Sequence, residues 1–183
     1  LTIDTDLPGD SPWDDRTLRT AEEPTRVAAG QRWQMGRHHL VCGSSTDPRS
    51  WEGCPDARLV VTDPPYGIAY SGGGGVEREP ITNDGTPEAA VAALMGALET
   101  LPHTPGCAVY VFGPAGGLTF PNALAAEGIY RHQLVWVKDN ATFGRSDYHY
   151  RHESIYYGWY PDGPHPPVKD RTRNSVIEWD RPT

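Results

Sequence analysis

The chain is short of cysteine, of long apolar runs and of positive charge. Three cysteines, Cys42, Cys54 and Cys107, lie far apart in 183 residues with no Cys-x-x-Cys pair. So sparse and odd a set supports neither a disulfide framework nor a zinc site. Cys42 and Cys107, flanked by apolar residues, are expected to be ordinary buried thiols. Nowhere do 18 apolar residues run together, and no positive-then-apolar leader opens the chain. A membrane-spanning helix and an export signal are therefore not expected, and the chain is read as cytoplasmic. Histidines 38, 39, 149, 152 and 165 match no zinc spacing, and no metal is expected. Sixteen Lys/Arg against 24 Asp/Glu leave a net charge of −8, which argues against a protein that coats nucleic acid. The charge is uneven. Residues 131–183 hold eight Lys/Arg and seven Asp/Glu, a net of +1, so residues 1–130 carry −9. Contact with phosphates would be local and would come from the C-terminal third.

Hydrophobic residues make up 37%, below the usual share, while Gly (20) and Pro (18) are abundant, so a globular part with much loop is expected. The first residue is Leu1, which reads as a fragment or a processed product. Residues 1–28, acidic and containing Pro8, Pro12 and Pro24, read as a linker, and residues 29–183 as one domain. Gln31–Met35 and His38–Cys42 suggest a hairpin turning at Gly36-Arg37. Asp47-Pro48 suits the opening of a short helix at 49–52. Strands are expected at 58–62, 108–112, 133–138, 151–159 and 175–179. Pro87 through Leu101 reads as a helix capped by Thr86, with Val91, Leu94, Met95, Leu98 and Leu101 on one face. A second helix spans 117–127 and closes at Gly128. Strands alternating with helices imply an α/β fold with a doubly wound parallel sheet, to which the later Tyr-rich strands add antiparallel neighbours.

The apolar run Leu59–Thr62 ends abruptly in Asp63-Pro64-Pro65-Tyr66. Two prolines, with fixed φ and no N–H, end the ladder and turn the chain outward. A stiff loop at the carboxyl end of a strand is where ligands bind in open α/β sheets. An exocyclic amine is a weak nucleophile because its lone pair is delocalised into the ring. A carboxylate and a backbone carbonyl accepting its two N–H groups would pull the nitrogen toward tetrahedral geometry and stabilise the developing positive charge. Pro64 and Pro65 expose carbonyls without competing donors, and Tyr66 offers a face for stacking. Gly72–Gly75 follow as a mobile loop.

Thr62-Asp63-Pro64-Pro65-Tyr66-Gly67-Ile68 resembles the catalytic motif of S-adenosylmethionine-dependent amino-group DNA methyltransferases. Trp33–Gly43 resembles the hairpin that begins the methylase domain of phage- and plasmid-type members, Ile81–Asp84 the segment after their mobile loop, and Leu134–Lys138 with Gly144–Glu153 a later strand and loop. The likeness runs from about residue 31 to the C-terminus. It implies a Rossmann-like methyltransferase sheet, S-adenosylmethionine as cofactor, double-stranded DNA as partner, and methylation of a flipped base at adenine N6, with cytosine N4 second, as in restriction–modification. Asp63, Pro64, Pro65 and Tyr66 would be catalytic, Gly43, Ser44 and Asp63 would hold the cofactor, and Asn83, Arg145, Ser146, Asp147, Tyr148, His149 and Arg151 would face DNA.

Two departures from the family stand out. Ser44 occupies a place where Asp is usual, and no cofactor-binding glycine loop follows an apolar strand. The chain therefore reads as the catalytic, target-base half of such a domain. Binding of S-adenosylmethionine by this piece alone is expected to be weak or nil. The missing cofactor half, or a preceding ParB-like domain, would be a partner. A non-catalytic DNA-binding remnant, and a methyltransferase for RNA or a protein amide, are the alternative readings.

Overall fold

The computed structural model describes residues 27–70, 79–142 and 147–178. The expected linker, apart from Val27 and Ala28, and the glycine run Gly72–Gly75 lie outside them, as do Arg145 and Ser146. Two units are distinguished, with the division between Cys42 and Gly43.

In the first unit, β1 (Arg32–Met35) and β2 (His38–Val41) form an antiparallel pair in the expected register, Arg32 opposite Val41 and Met35 opposite His38. The turn needs Gly36, whose φ is +60°. The pair closes through Gly30 N–H to the Cys42 carbonyl, 2.7 Å, and Cys42 N–H to the Gln31 carbonyl, 3.0 Å. Cys42 is only half-buried there. The expectation of a buried thiol holds for Cys107 alone.

In the second unit, Asp47 accepts the Arg49 N–H and starts a 3-10 helix, Pro48–Trp51. Five strands make one sheet: β3 (Ala57–Thr62), β4 (His103–Gly113), β5 (Tyr130–Thr142), β6 (Tyr150–Trp159) and β7 (Val176–Glu178). Their spatial order is β3-β4-β6-β5-β7. Strands β3 and β4 are parallel, as are β5 and β7, while β6 is antiparallel to both its neighbours. The Tyr-rich strand is therefore antiparallel as expected, and it occupies the middle of the sheet.

Helix α1 (Pro87–Thr100) joins β3 to β4, and α2 (Thr119–Ala126) joins β4 toward β5. Thr86 caps α1, its Oγ1 accepting the Ala89 N–H at 3.1 Å, and Pro87 fills the first turn. Ala90, Leu94 and Leu98 of α1, with Phe120 and Leu124 of α2, are buried against Cys107, Val109, Val111 and Tyr156 in one cluster. Both crossovers step the same way along the sheet, which places both helices on one face. Among the described residues the second helical layer of a doubly wound sheet is not seen, and Leu59 and Val61 remain 54% and 61% exposed. The βαβαβ run with its antiparallel insert is an α/β fold.

Candidate active site

The register sets what meets at the site. Thr62 of β3 lies opposite Val111 of β4, and Val111 lies opposite Tyr156 of β6. The carboxyl ends of β3 and β4 thus share one end of the sheet with the beginning of β6. Asp63 leaves β3 at this end and is exposed. The Tyr66 hydroxyl donates to Asp63 Oδ1 at 2.7 Å. Among the described residues no protein donor reaches the other carboxylate oxygen. The half-buried Tyr66 ring stands edge-on to Phe120, with centroids 6.4 Å apart. Burial first, then the hydrogen bond and charge of Asp63, with a further contribution from Glu153, push the Tyr66 hydroxyl well above the ordinary tyrosine range. It therefore remains a donor. To the stacking face read from the sequence, the structure adds this hydroxyl that orients the carboxylate.

The loop beyond is gathered around Asp84, which is 2% exposed. Its Oδ1 accepts the N–H groups of Tyr66 (2.9 Å), Gly67 (2.8 Å) and Ile68 (3.3 Å), and its Oδ2 accepts that of Tyr70 (2.7 Å). Its backbone carbonyl accepts the Ala69 N–H at 2.6 Å. The bond from Tyr70 leads the backbone bonds that lower the Asp84 carboxyl pKa; desolvation opposes them and is outweighed. The carboxylate is wrapped by the loop itself, near the protein surface, so water is excluded without deep burial in low dielectric. Gly67, with φ +74°, lies hard against the backbone of Thr86 and Pro87 at the start of α1.

Asp63, Pro64, Pro65, Tyr66, Asp84 and Glu153 help line a cleft of about 560 Å³. Glu153 comes from β6 and is ion-paired with Lys138 of β5, whose ammonium lies 5.3 Å from the centre of the Trp136 ring. Neither Asp84 as an organiser nor the Lys138–Glu153 pair was singled out from sequence. The partners of Asp84 lie 14–18 residues earlier, a separation that leaves no local pattern.

A second cavity of about 420 Å³ runs along β3 and α1 from Ser45 and Trp51 to Asp63, Pro64 and Pro65. The segment bearing Gly43 and Ser44 sits at its far end, where the Thr100 hydroxyl donates to the Ser45 carbonyl. The Ser44 hydroxyl is engaged with Thr46 Oγ1 at 2.8 Å. No hydrogen bond links Ser44 to Asp63 among the described residues; the groove is what connects them.

Of the candidate DNA-facing residues, Asp147, Tyr148, His149 and Arg151 are exposed. They precede or begin β6, at the end of the sheet that carries Asp63. Asn83 is exposed with φ +65°, a turn residue immediately before Asp84. Among the described residues no group of three His, Cys, Asp or Glu side chains is placed to hold a metal ion. No helix among the described residues is long and apolar enough to cross a membrane.

Scans of the sequence against protein-family models and against curated proteins find no match. Among solved structures, the chain is similar to M1.HpyAVI over 77% of its own length and 66% of that chain, at 11% identity and a TM-score of 0.47. It is also similar to an M1.HpyAVI–SAM complex over 72% of its length, at 12% identity and a TM-score of 0.44, and spans 60% of that chain.

Proposed function

We propose that this chain carries the target-amine part of an S-adenosylmethionine-dependent DNA methyltransferase site, acting on the exocyclic amine of a flipped base, adenine N6 first. The observation that carries the reading is Asp63 at the carboxyl end of β3, one oxygen held by the Tyr66 hydroxyl and the other without a donor among the described residues. An amine N–H donating to that open oxygen, with a loop carbonyl taking the second N–H, draws the nitrogen lone pair out of ring conjugation. The positive charge that grows on nitrogen then lies beside a fixed carboxylate, the situation in which preorganised electrostatics act most strongly. Tyr66 keeps the carboxylate turned, and its raised hydroxyl pKa prevents it from becoming a competing anion. A base inside a duplex cannot enter such a cleft and has to leave the stack. Tyr66 and Tyr70 line the cleft and offer stacking faces of ~1–3 kcal/mol per base. Asp147, Tyr148, His149 and Arg151 at the same end, with Asn83, Arg145 and Ser146, are assigned to the DNA.

S-adenosylmethionine supplies a sulfonium-bound methyl group that an amine lone pair can take up. The groove from Ser45 to Asp63 has a carboxylate at one end, and Asp63 with Gly43 and Ser44 would hold the cofactor. Its walls are mainly apolar, with Ser45, Thr62 and Asp63 as polar exceptions. Weak binding by this chain alone is the expected result. The same scarcity of polar groups favours, as the second reading, a non-catalytic remnant that binds DNA.

Two measurements test these readings. Calorimetric titration with S-adenosylmethionine is expected to give weak or no binding to the 183-residue chain, and tight binding would refute the half-site reading. Transfer of labelled methyl from the cofactor to mixed-sequence DNA is then compared between parent and Asp63→Ala in a longer chain that also carries a cofactor-binding half. Transfer lost in Asp63→Ala supports the role of Asp63, and transfer retained above a tenth of the parental rate removes it. A longer chain that binds both DNA and the cofactor yet never transfers a methyl group favours the remnant.

A further inference from the structure

Five successive backbone N–H groups, those of Tyr66, Gly67, Ile68, Ala69 and Tyr70, all donate to the single residue Asp84. Left-handed φ values at Gly67 (+74°) and Ala69 (+50°) turn these groups inward. Successive N–H groups so turned make a concavity for an anion. Here the anion is the chain's own carboxylate, delivered from beyond the glycine-rich segment. We propose that Asp84 is the positioning residue of the site: by filling this nest it fixes the path of residues 66–70 and so holds the Tyr66 hydroxyl on Asp63. The proposal rests on the reading of Asp63 as the amine acceptor, and it adds the residue that sets the geometry.

The chemistry of the acceptor supports a carboxylate in particular. An ionised carboxylate has about four lone-pair sites and no proton to misplace, whereas an asparagine amide must turn an N–H toward one of the donors. Four convergent N–H groups therefore suit Asp and disfavour Asn. Asp84 also lies two residues before the Thr86 cap, and Gly67 abuts Pro87. The carboxylate thus locks the catalytic loop to the first turn of α1, and through it to the core. Asp63 and Asp84 never touch; Tyr66, bonded to one by its hydroxyl and to the other by its N–H, is the link.

The test reads the Asp63–Tyr66 bond directly in the full chain. With 13C-labelled aspartate, the Asp63 carboxyl resonance is recorded at neutral pH in the parent and in Tyr66→Phe, which supplies the value for the broken bond. Asp84→Ala is expected to move the Asp63 resonance to the Tyr66→Phe value, while the methyl signals of Val109, Val111 and Leu124 stay in place. Added formate, entering the emptied nest, is expected to return it. Asp84→Asn is expected to fall between. An Asp63 resonance that keeps its parental position in a folded Asp84→Ala or Asp84→Asn chain overturns the proposal. So does a chain that neither variant leaves folded, with or without formate, since Asp84 would then serve folding alone. None of these readouts needs turnover. Absence of methyl transfer together with the expected resonance shifts would remove the reaction and leave the positioning role standing.

Discussion

Replacing Gly67 by alanine tests how tightly the catalytic loop is seated. At φ +74° an added Cβ would stand 2.4 Å from Cα and N of Pro87 and 2.5 Å from the Thr86 carbonyl carbon. Two penalties follow. Left-handed backbone costs a non-glycine residue ~1–2 kcal/mol. The contact is with backbone, which no side-chain rotation can relieve, so it resembles overpacking at ~1–3 kcal/mol. Alanine also narrows the unfolded ensemble, which returns ~0.4–1 kcal/mol. The net loss is about 1–5 kcal/mol, a large share of the ~5–15 kcal/mol of a typical domain. Two other glycines separate the contributions. Gly117, with φ +106° and nothing within 4 Å of a built Cβ, carries only the backbone strain. Gly85, with neither positive φ nor a neighbour within 4 Å, carries neither penalty. Urea unfolding of the three alanine variants should rank them Gly67, Gly117, Gly85 from most to least destabilised, with equal m-values. A Gly67→Ala loss no greater than that of Gly117→Ala would show that the loop yields freely, and the seating of Asp63 against α1 would fall with it.

Two further outcomes are expected. Thr86→Ala removes the acceptor of the Ala89 N–H and should destabilise the chain by about 1 kcal/mol, with Thr86→Ser restoring most of the loss in the same urea assay. The lowered carboxyl pKa of Asp84, due first to the Tyr70 N–H, gives stability that is present above the unfolded carboxylate value of about 3.9 and is lost as pH falls below it through the folded value. Asp47, Asp162 and Asp170 are lowered as well, so the readout is the difference between parent and Asp84→Asn. Thermal melts below pH 4 should fall more steeply in the parent, and parallel slopes would contradict the stated role of the carboxylate.

What was legible in the sequence was local. Leu59–Thr62 before Asp63-Pro64-Pro65 marked a strand and its end, because proline stops a ladder wherever it stands. Thr86-Pro87 marked the start of α1 for the same kind of reason: the cap and its N–H partner are three residues apart. The hairpin at Gly36 and the closure of α2 near Gly128 also rest on neighbours in the chain. The position of β6 between β4 and β5 was not legible, since Val111 and Tyr156 meet across 45 residues and an alternation of apolar side chains does not name its partner. The single helical face was missed because the crossover direction is a property of three strands together. Ser44 was grouped with Asp63 by motif, whereas its hydroxyl closes a local turn with Thr46. Asp84 was legible only as the end of the segment Ile81–Asp84 after the glycine run; its five donors are recognisable only once the loop has doubled back.

The central antiparallel strand also fixes an order of assembly. Strands β4 and β5 are not paired with each other; β4 lies beside β3 and β5 beside β7, and the two pairs are joined only through β6, which follows both β4 and β5 in the chain. Until residues 150–159 have been made, β4, which bears Val109 and Val111, is paired on its β3 side alone, and β5 has no strand to join it to β4. The part that closes the sheet is thus the part that brings Glu153 to the cleft. In this chain the site and the middle of the sheet are completed by one event, so a nascent chain stopped short of Tyr150 holds the Asp63 loop without the wall that faces it.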